Sequence, residues 1–125
     1  MLLDTNVLIR MTAFPDTLGP VAWDLIEGGP VYASSISHLE ITMKRMLGKL
    51  DAPDDLVRLF GDQGITPLPF TERHAARVAK FEVLNKHDPF DRILVAQAAA
   101  EGLEFMTSDR ILLGLGFDWI VDARK

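Results

Sequence analysis

The sequence predicts an α/β fold built on a mainly parallel β-sheet, and three observations carry that expectation. Short apolar runs alternate along the chain with amphipathic stretches of helical period. Turn residues punctuate the junctions, as at Gly28-Gly29-Pro30, Gly48, Gly64, Pro69 and Gly102. Strands separated by helices favour right-handed βαβ crossovers, which lay strands parallel. In such sheets ligands collect beyond the carboxyl ends of the strands. Polar residues that directly follow strands therefore deserve most weight.

The elements follow in order. Met1–Leu3 is a short apolar strand that stops at Asp4. Thr17–Glu27 reads as a helix, with Ala22, Leu25 and Ile26 on one face, ended by Gly28-Gly29-Pro30. Val31–Ser34 is a strand. Ser37 opens a helix that runs toward Gly48. Asp54–Asp62 is helical, with Leu56, Leu59 and Phe60 sharing a face, and Ile65–Leu68 is a strand between Gly64 and Pro69. Thr71–Leu84 is helical through Ala75, Val78, Ala79 and Phe81. Asp88–Glu101 is a helix that Gly102 ends, with Asp88 as N-cap and Pro89 at its first position. Glu104–Thr107 is a strand, Ser108–Leu113 a short helix and Trp119–Val121 a last strand.

A chain of 125 residues with 48% hydrophobic content fits one domain, residues 1–125, with a core of its own. The absence of cysteine excludes a disulfide scaffold, a thiolate zinc site and a cysteine nucleophile. No apolar run approaches the roughly 20 residues of a membrane span, and the start lacks the basic and apolar regions of a signal peptide. The expectation is a cytoplasmic protein with no membrane partner. A net charge of −5 argues against nucleic-acid binding through a broad basic surface. Contact with nucleic acid then requires a local offset of the acids, which a divalent metal supplies.

Four carboxylates stand where the topology makes them converge. Asp4 directly follows the first strand, and Asp109 follows Glu104–Thr107 by one residue. Glu40 lies three residues after Ser37, and Asp91 three after Asp88, at helix starts near the same sheet edge. Clustered carboxylates raise one another's pKa. Mg2+ or Mn2+ removes that cost, because hard oxygen ligands suit these ions. Two such ions activate water and stabilise a leaving oxygen in phosphodiester hydrolysis. Each acid also has a structural reading. Ser37-His38-Leu39-Glu40 matches a capping box, Asp91 sits at a helix N3 position, Asp4 suits a turn, and Asp109 suits an N-cap for Arg110–Leu113.

Taken together, L-L-D-T-N at 2–6, S-x-x-E at 37–40, D-P-F-D-R at 88–92 and T-S-D at 107–109 resemble the PIN domain. L-G-K-L at 47–50, L-P at 68–69, H-A-x-R-V-A at 74–79 and D-R-I-L-V-A-Q-A at 91–98 are similar to its VapC-type branch, the toxin nucleases of bacterial toxin–antitoxin pairs. The resemblance implies a three-layer α/β/α sandwich. It further implies an Mg2+- or Mn2+-dependent endoribonuclease, a homodimer, and a VapB-like antitoxin that covers the acidic site. By position the acidic set falls on Asp4, Glu40, Asp91 and Asp109, all metal ligands, with Asp4 and Asp91 the closest. Thr5, Asn6, Thr107 and Ser108 are the polar helpers. The chain departs from the branch at Asn6, where His is common, near Arg10, where an aromatic residue is common, and at Lys86-His87, where a His usually stands two residues before the D-P-F-D-R motif.

Other residues carry blander expectations. Asp88 is a cap and no ligand. Arg92 forms a structural salt bridge, with a phosphate contact as the alternative. His38, His74 and His87 serve surface or helix-packing roles. The basic residues Lys44, Arg45, Lys49, Arg73, Arg77 and Lys80 form a solvated helix face, with an RNA-binding rim as the sharper reading. Leu39, Met43 and Leu47 pack into the core, with a dimer or antitoxin contact as the alternative. A non-catalytic RNA- or peptide-binding protein and a PIN nuclease of RNA processing are the competing functions. A haloacid-dehalogenase-like phosphatase is set aside, because its D-x-D needs an acid where this chain has Asn6.

Overall fold

The computed structural model describes all residues, 1–125. Five strands, β1 (Leu2–Leu3), β2 (Val31–Ser34), β3 (Ile65–Leu68), β4 (Phe105–Thr107) and β5 (Ile120–Asp122), form one sheet in the order β3-β2-β1-β4-β5. Every pairing is parallel, with Leu2 opposite both Tyr32 and Phe105. Successive side chains of a strand point to opposite faces, so each strand feeds two cores. Leu3, Val31, Ala33, Ile65 and Met106 enter one cluster with Val7, Ile26, Ile41 and Phe60. Leu2 and Phe105 enter the other with Phe81, Leu84, Leu94, Val95 and Leu112. Helices thus cover both faces, giving the three-layer α/β/α sandwich with a central parallel sheet.

Helix α1 (Thr5–Ala13) was not an expected element. Its β-branched residues Thr5, Val7, Ile9 and Thr12 weaken helix propensity. Packing overrides them, because Val7, Leu8 and Met11 are buried on one side. Helix α2 (Pro20–Glu27) begins later than expected, after a 3₁₀ turn at Pro15–Thr17, with Pro20 fixing its first position. Helix α3 (Ser35–Met46) begins earlier than expected, because Ser34 accepts a hydrogen bond from the Ile36 amide at 3.0 Å and caps it. Ser37 and Glu40 are therefore interior helical residues, and the capping box expected for that pair does not form.

Helix α4 spans Leu56–Asp62 and turns Leu56 and Phe60 inward. The helix expected over Thr71–Leu84 is broken into α5 (Glu72–Arg77) and single 3₁₀ turns at Val78–Lys80 and Glu82–Leu84. Phe81 leaves helical geometry (φ −115°, ψ 47°), and the break buries Phe81 and Leu84 while Ala75 and Ala79 stay exposed. Buried His74 fixes the start of α5. Its Nδ1 accepts from the Thr71 amide at 2.9 Å, so the proton sits on Nε2, 2.6 Å from Glu101 Oε1. The helix-packing role expected for His74 holds.

Helix α6 (Pro89–Glu101) runs across the second face, and short α7 (Arg110–Leu113) follows β4. Gly102 closes α6 at φ +65°, where its amide and that of Leu103 reach back to Ala98 and Ala99 carbonyls. No atom lies within 4 Å of a Cβ built there, so substitution meets only backbone strain. Gly102→Ala is expected to cost about 1 kcal/mol, read as a lower denaturation midpoint at unchanged slope. No helix is long and apolar enough to cross a membrane.

Candidate active site

The sheet reverses its winding between β1 and β4, and both strands end in polar residues there. The Asp4 amide donates to the Met106 carbonyl at 2.9 Å, which ties the two strand ends together. Asp4 occupies the N-cap position of α1 yet makes no capping bond with its side chain. Its Oδ2 instead accepts from the Thr107 hydroxyl at 2.6 Å. The Thr107 oxygen in turn accepts from the Asp109 amide at 3.0 Å. One buried hydroxyl therefore aligns Asp4 with the loop that carries Ser108 and Asp109.

Helices bring the other two acids. The Thr5 hydroxyl donates to the Ser37 oxygen at 2.8 Å in a buried bond that pins α1 to α3. Glu40 lies nearly one turn beyond Ser37 on α3 and is 5% exposed. Its Oε2 accepts from Lys44 Nζ at 2.6 Å, while its buried Oε1 has no partner. Asp88 caps α6 through Oδ1, which accepts from the Phe90 amide at 2.8 Å. Asp91 sits in the first turn of that helix, with Oδ2 at 3.0 Å from His87 Nε2. His87 Nε2 lies 3.4 Å from Asp109 Oδ2, and Asp109 Oδ1 caps α7 at the Ile111 and Leu112 amides.

A cleft of about 330 Å³ results, lined by Asp4, Thr5, Asn6, Ile9, Glu40, Lys44, Asp88, Asp91, Ser108 and Asp109. Of the eight candidate residues, seven line it, and fully buried Thr107 lies behind Asp4. A larger hollow of about 530 Å³ lies toward the far end of α6, between Arg77, Phe81, Ala98, Gly102, Phe117 and Trp119. Glu104 is its lone acid, so it lacks the cluster of carboxylates that would hold a divalent ion.

Electrostatics in the acidic cleft are strained. Burial raises the Asp4 carboxyl above the ordinary range; the Thr107 hydrogen bond opposes this, and the charges of Glu40 and Asp109 add to it. Asp91 is pushed up to about 7 by burial and by the charges of Asp4 and Asp88, against the hydrogen bond from His87. Lys44 is held above its usual range, chiefly by its bond to Glu40. These are hard oxygen donors short of positive charge, and Glu40 offers a buried oxygen with nothing bound to it. The set fits Mg2+ or Mn2+.

Several sequence expectations change at this site. His87 bridges Asp91 and Asp109 instead of serving the surface. His87 precedes the Asp88 cap and lies outside α6, so no helical spacing signalled the contact; its place beside the D-P-F-D-R motif was the one hint. Lys44 lines the cleft, whereas Arg45 pairs with Asp54 and Arg73 with Glu101, so the basic residues form no single rim. Arg92 makes no salt bridge and donates to the Asn85 side chain at 2.6 Å. Leu39, Met43 and Leu47 are 48%, 45% and 68% exposed, so they do not pack into the core.

Fold and cleft define a class: a doubly wound α/β domain with an acidic cleft at its switch point. The family model of the PIN domain matches residues 1–117, and the chain belongs to that family. Solved structures share the fold. VapBC2 from Rickettsia felis, bound to a promoter DNA fragment, aligns at 14% identity and TM-score 0.70 over 97% of this chain and 96% of that one. DNA-bound VapBC from Salmonella typhimurium aligns at 18% identity and TM-score 0.67 over 97% and 96%. A toxin–antitoxin complex from Klebsiella pneumoniae aligns at 19% identity and TM-score 0.64 over 96% and 94%. No curated protein matches the sequence.

Proposed function

We propose that the protein is an Mg2+- or Mn2+-dependent endoribonuclease and the toxin of a cytoplasmic toxin–antitoxin pair. The observation that carries this reading is the convergence of Asp4, Glu40, Asp91 and Asp109 on one cleft, with a buried Glu40 oxygen left unpaired. Asp4 and Asp91 would hold the ion most closely, and Glu40 and Asp109 would complete its surroundings. When bound, the ion supplies a water nucleophile at neutral pH and charge stabilisation for the phosphoryl oxygens.

The chain's own residues prepare that chemistry. Thr107 keeps the Asp4 oxygen oriented, and the Thr5–Ser37 bond sets the distance between α1 and α3. His87 holds Asp91 and Asp109 in one arrangement. Asn6 and Ser108 supply hydrogen-bonding groups at the mouth of the cleft. Without the four acids the formal charge rises from −5 to −1, so metal and local contacts, not a global field, would hold RNA.

The toxin role draws support from fold relatives described as toxin–antitoxin complexes. A VapB-like antitoxin would cover the cleft. The exposed residues Leu39, Met43 and Met46 of α3, with Leu47 at its C-cap, offer an apolar ridge for a homodimer. The direct test incubates the purified protein with single-stranded RNA and Mg2+, Mn2+ or excess chelator. Discrete internal cuts with metal and none with chelator are expected. Cutting that survives chelator would sink the mechanism.

A further inference from the structure

We propose that Lys44 is the residue of the cleft that contacts the RNA phosphate, on the side of Glu40 that faces solvent. The inference rests on the nuclease reading above and adds to it a substrate contact. Lys44 is the one cation that lines the cleft, against the acids Asp4, Glu40, Asp88, Asp91 and Asp109. An ammonium carries three N–H donors. One goes to Glu40 Oε2 at 2.6 Å, and the protein supplies no acceptor for the other two. The side chain is 45% exposed while the Glu40 side chain is 6% exposed, so the free donors point away from the buried carboxylate.

The neighbouring geometry gives this cation a direction. Residues 40 and 44 are one turn apart on α3, and the helix is pinned to α1 through Ser37 and Thr5. The stem of Lys44 is therefore anchored at one end by the helix and at the other by Glu40. Glu40 Oε1 remains free on the buried side for a metal ion. One carboxylate would then serve two cations, the ammonium at Oε2 and a metal ion for which Oε1 would be a donor. A phosphodiester entering this cleft meets five acids and four uncharged residues, and Lys44 is the one side chain of the lining that carries positive charge. Its non-bridging oxygens are hydrogen-bond acceptors, and the charge on them grows during displacement. A donor held in place before the reaction lowers that barrier. The bond to Glu40 also argues against the plain alternative of a mobile surface lysine.

Two measurements test the contact. The first is binding of a fluorescent single-stranded RNA oligomer to Asp91→Asn and to Asp91→Asn/Lys44→Gln protein with Mg2+ over a series of salt concentrations. Loss of a phosphate contact should lower the slope of log affinity against log salt by about one. The second is cleavage by Lys44→Gln and Lys44→Arg in the otherwise unaltered chain. We expect kcat to fall about 10²-fold for Gln and to recover largely for Arg, which keeps charge and donors. Melting temperature and calorimetric Mg2+ affinity should hold or rise for Lys44→Gln, since an internal competitor for Glu40 is gone. An unchanged salt slope together with unchanged kcat overturns the contact. So does loss of Mg2+ affinity or of folding in Lys44→Gln, which would make Lys44 only the counter-ion of Glu40. RNA binding with the expected slope change in a protein that never cuts RNA would remove the nuclease reading and leave the contact standing. Absence of both binding and cutting removes both.

Discussion

Asp91→Asn is expected to lower metal-dependent RNA cleavage by about 10³-fold, while Asp88→Asn loses at most about tenfold, although only two residues separate them. The first figure follows from removing a ligand whose ion contributes several kcal/mol to the transition state, at 1.36 kcal/mol per factor of ten. The second follows from what Asp88 does in the fold. Its Oδ1 accepts the Phe90 amide at 2.8 Å, and asparagine caps a helix about as well as aspartate. Asp88 also lines the cleft and helps to raise the Asp91 carboxyl. Neutralising it should therefore ease Asp91 ionisation, with a modest shift in metal affinity as the visible result. Asp91 has no comparable structural duty, for its one partner is the His87 ring at 3.0 Å. The Asp91→Asn protein should remain folded, with an unchanged far-UV spectrum and a melting temperature no lower than wild type without metal. Equal loss of cleavage in the two variants would show that the pair is misassigned.

Much of this molecule is written locally, and the parts that are not have identifiable reasons. The strand ends are legible because apolar runs stop at Asp4 and near Asp109, and the helix at Asp88 announces itself through cap, proline and terminal glycine. The convergence of acids from distant segments is legible only through topology, since a parallel sheet puts strand ends and following helix starts at one edge. Helix α1 escapes because Thr5, Val7 and Ile9 favour a strand by propensity, and only burial of Val7, Leu8 and Met11 against the sheet reverses it. Glu40 shows a different failure. The S-x-x-E spacing fits a cap, yet Ser34 captures the helix start three residues earlier, and that choice turns Ser37 toward Thr5. The same spacing then serves the cleft and not the helix end. His87 escapes because it stands outside α6 and meets Asp109 only in three dimensions, while Lys44 is legible as the i+4 partner of Glu40 but not as a residue of the cleft.

The metal-free protein is expected to lose stability as pH rises from about 5 to 7.5, and a divalent ion is expected to reverse this. The sign follows from proton counting. Asp91 titrates at about 7 in the folded chain against an ordinary 3.8. Between those values the folded state binds more protons than the unfolded state, so unfolding free energy falls with rising pH. Below the unfolded value both states are neutral and the group has no effect; above the folded value the penalty is complete. A displacement of this size corresponds to a few kcal/mol, shared with the raised Asp4. Glu101 is lowered chiefly by the hydrogen bond from His74, and Asp122 and Asp55 by those from Arg124 and Arg58, so their contribution is lost only as pH falls into the ordinary carboxylate range, below the window. The Met1 amino group is lowered by burial and works in the opposite direction, adding stability as pH rises toward 8. Comparison with Asp91→Asn isolates the cleft, because that variant keeps every other group and should give a flatter profile. Metal binding requires ionised carboxylates and strengthens with pH, and it stabilises the folded state by mass action. The rise in melting temperature on adding Mn2+ should therefore be larger at pH 7.5 than at pH 5, and nearly absent in Asp91→Asn. A wild-type profile that is flat without metal, with an equal Mn2+ effect at both pH values, would mean that the acids of this cleft hold no ion.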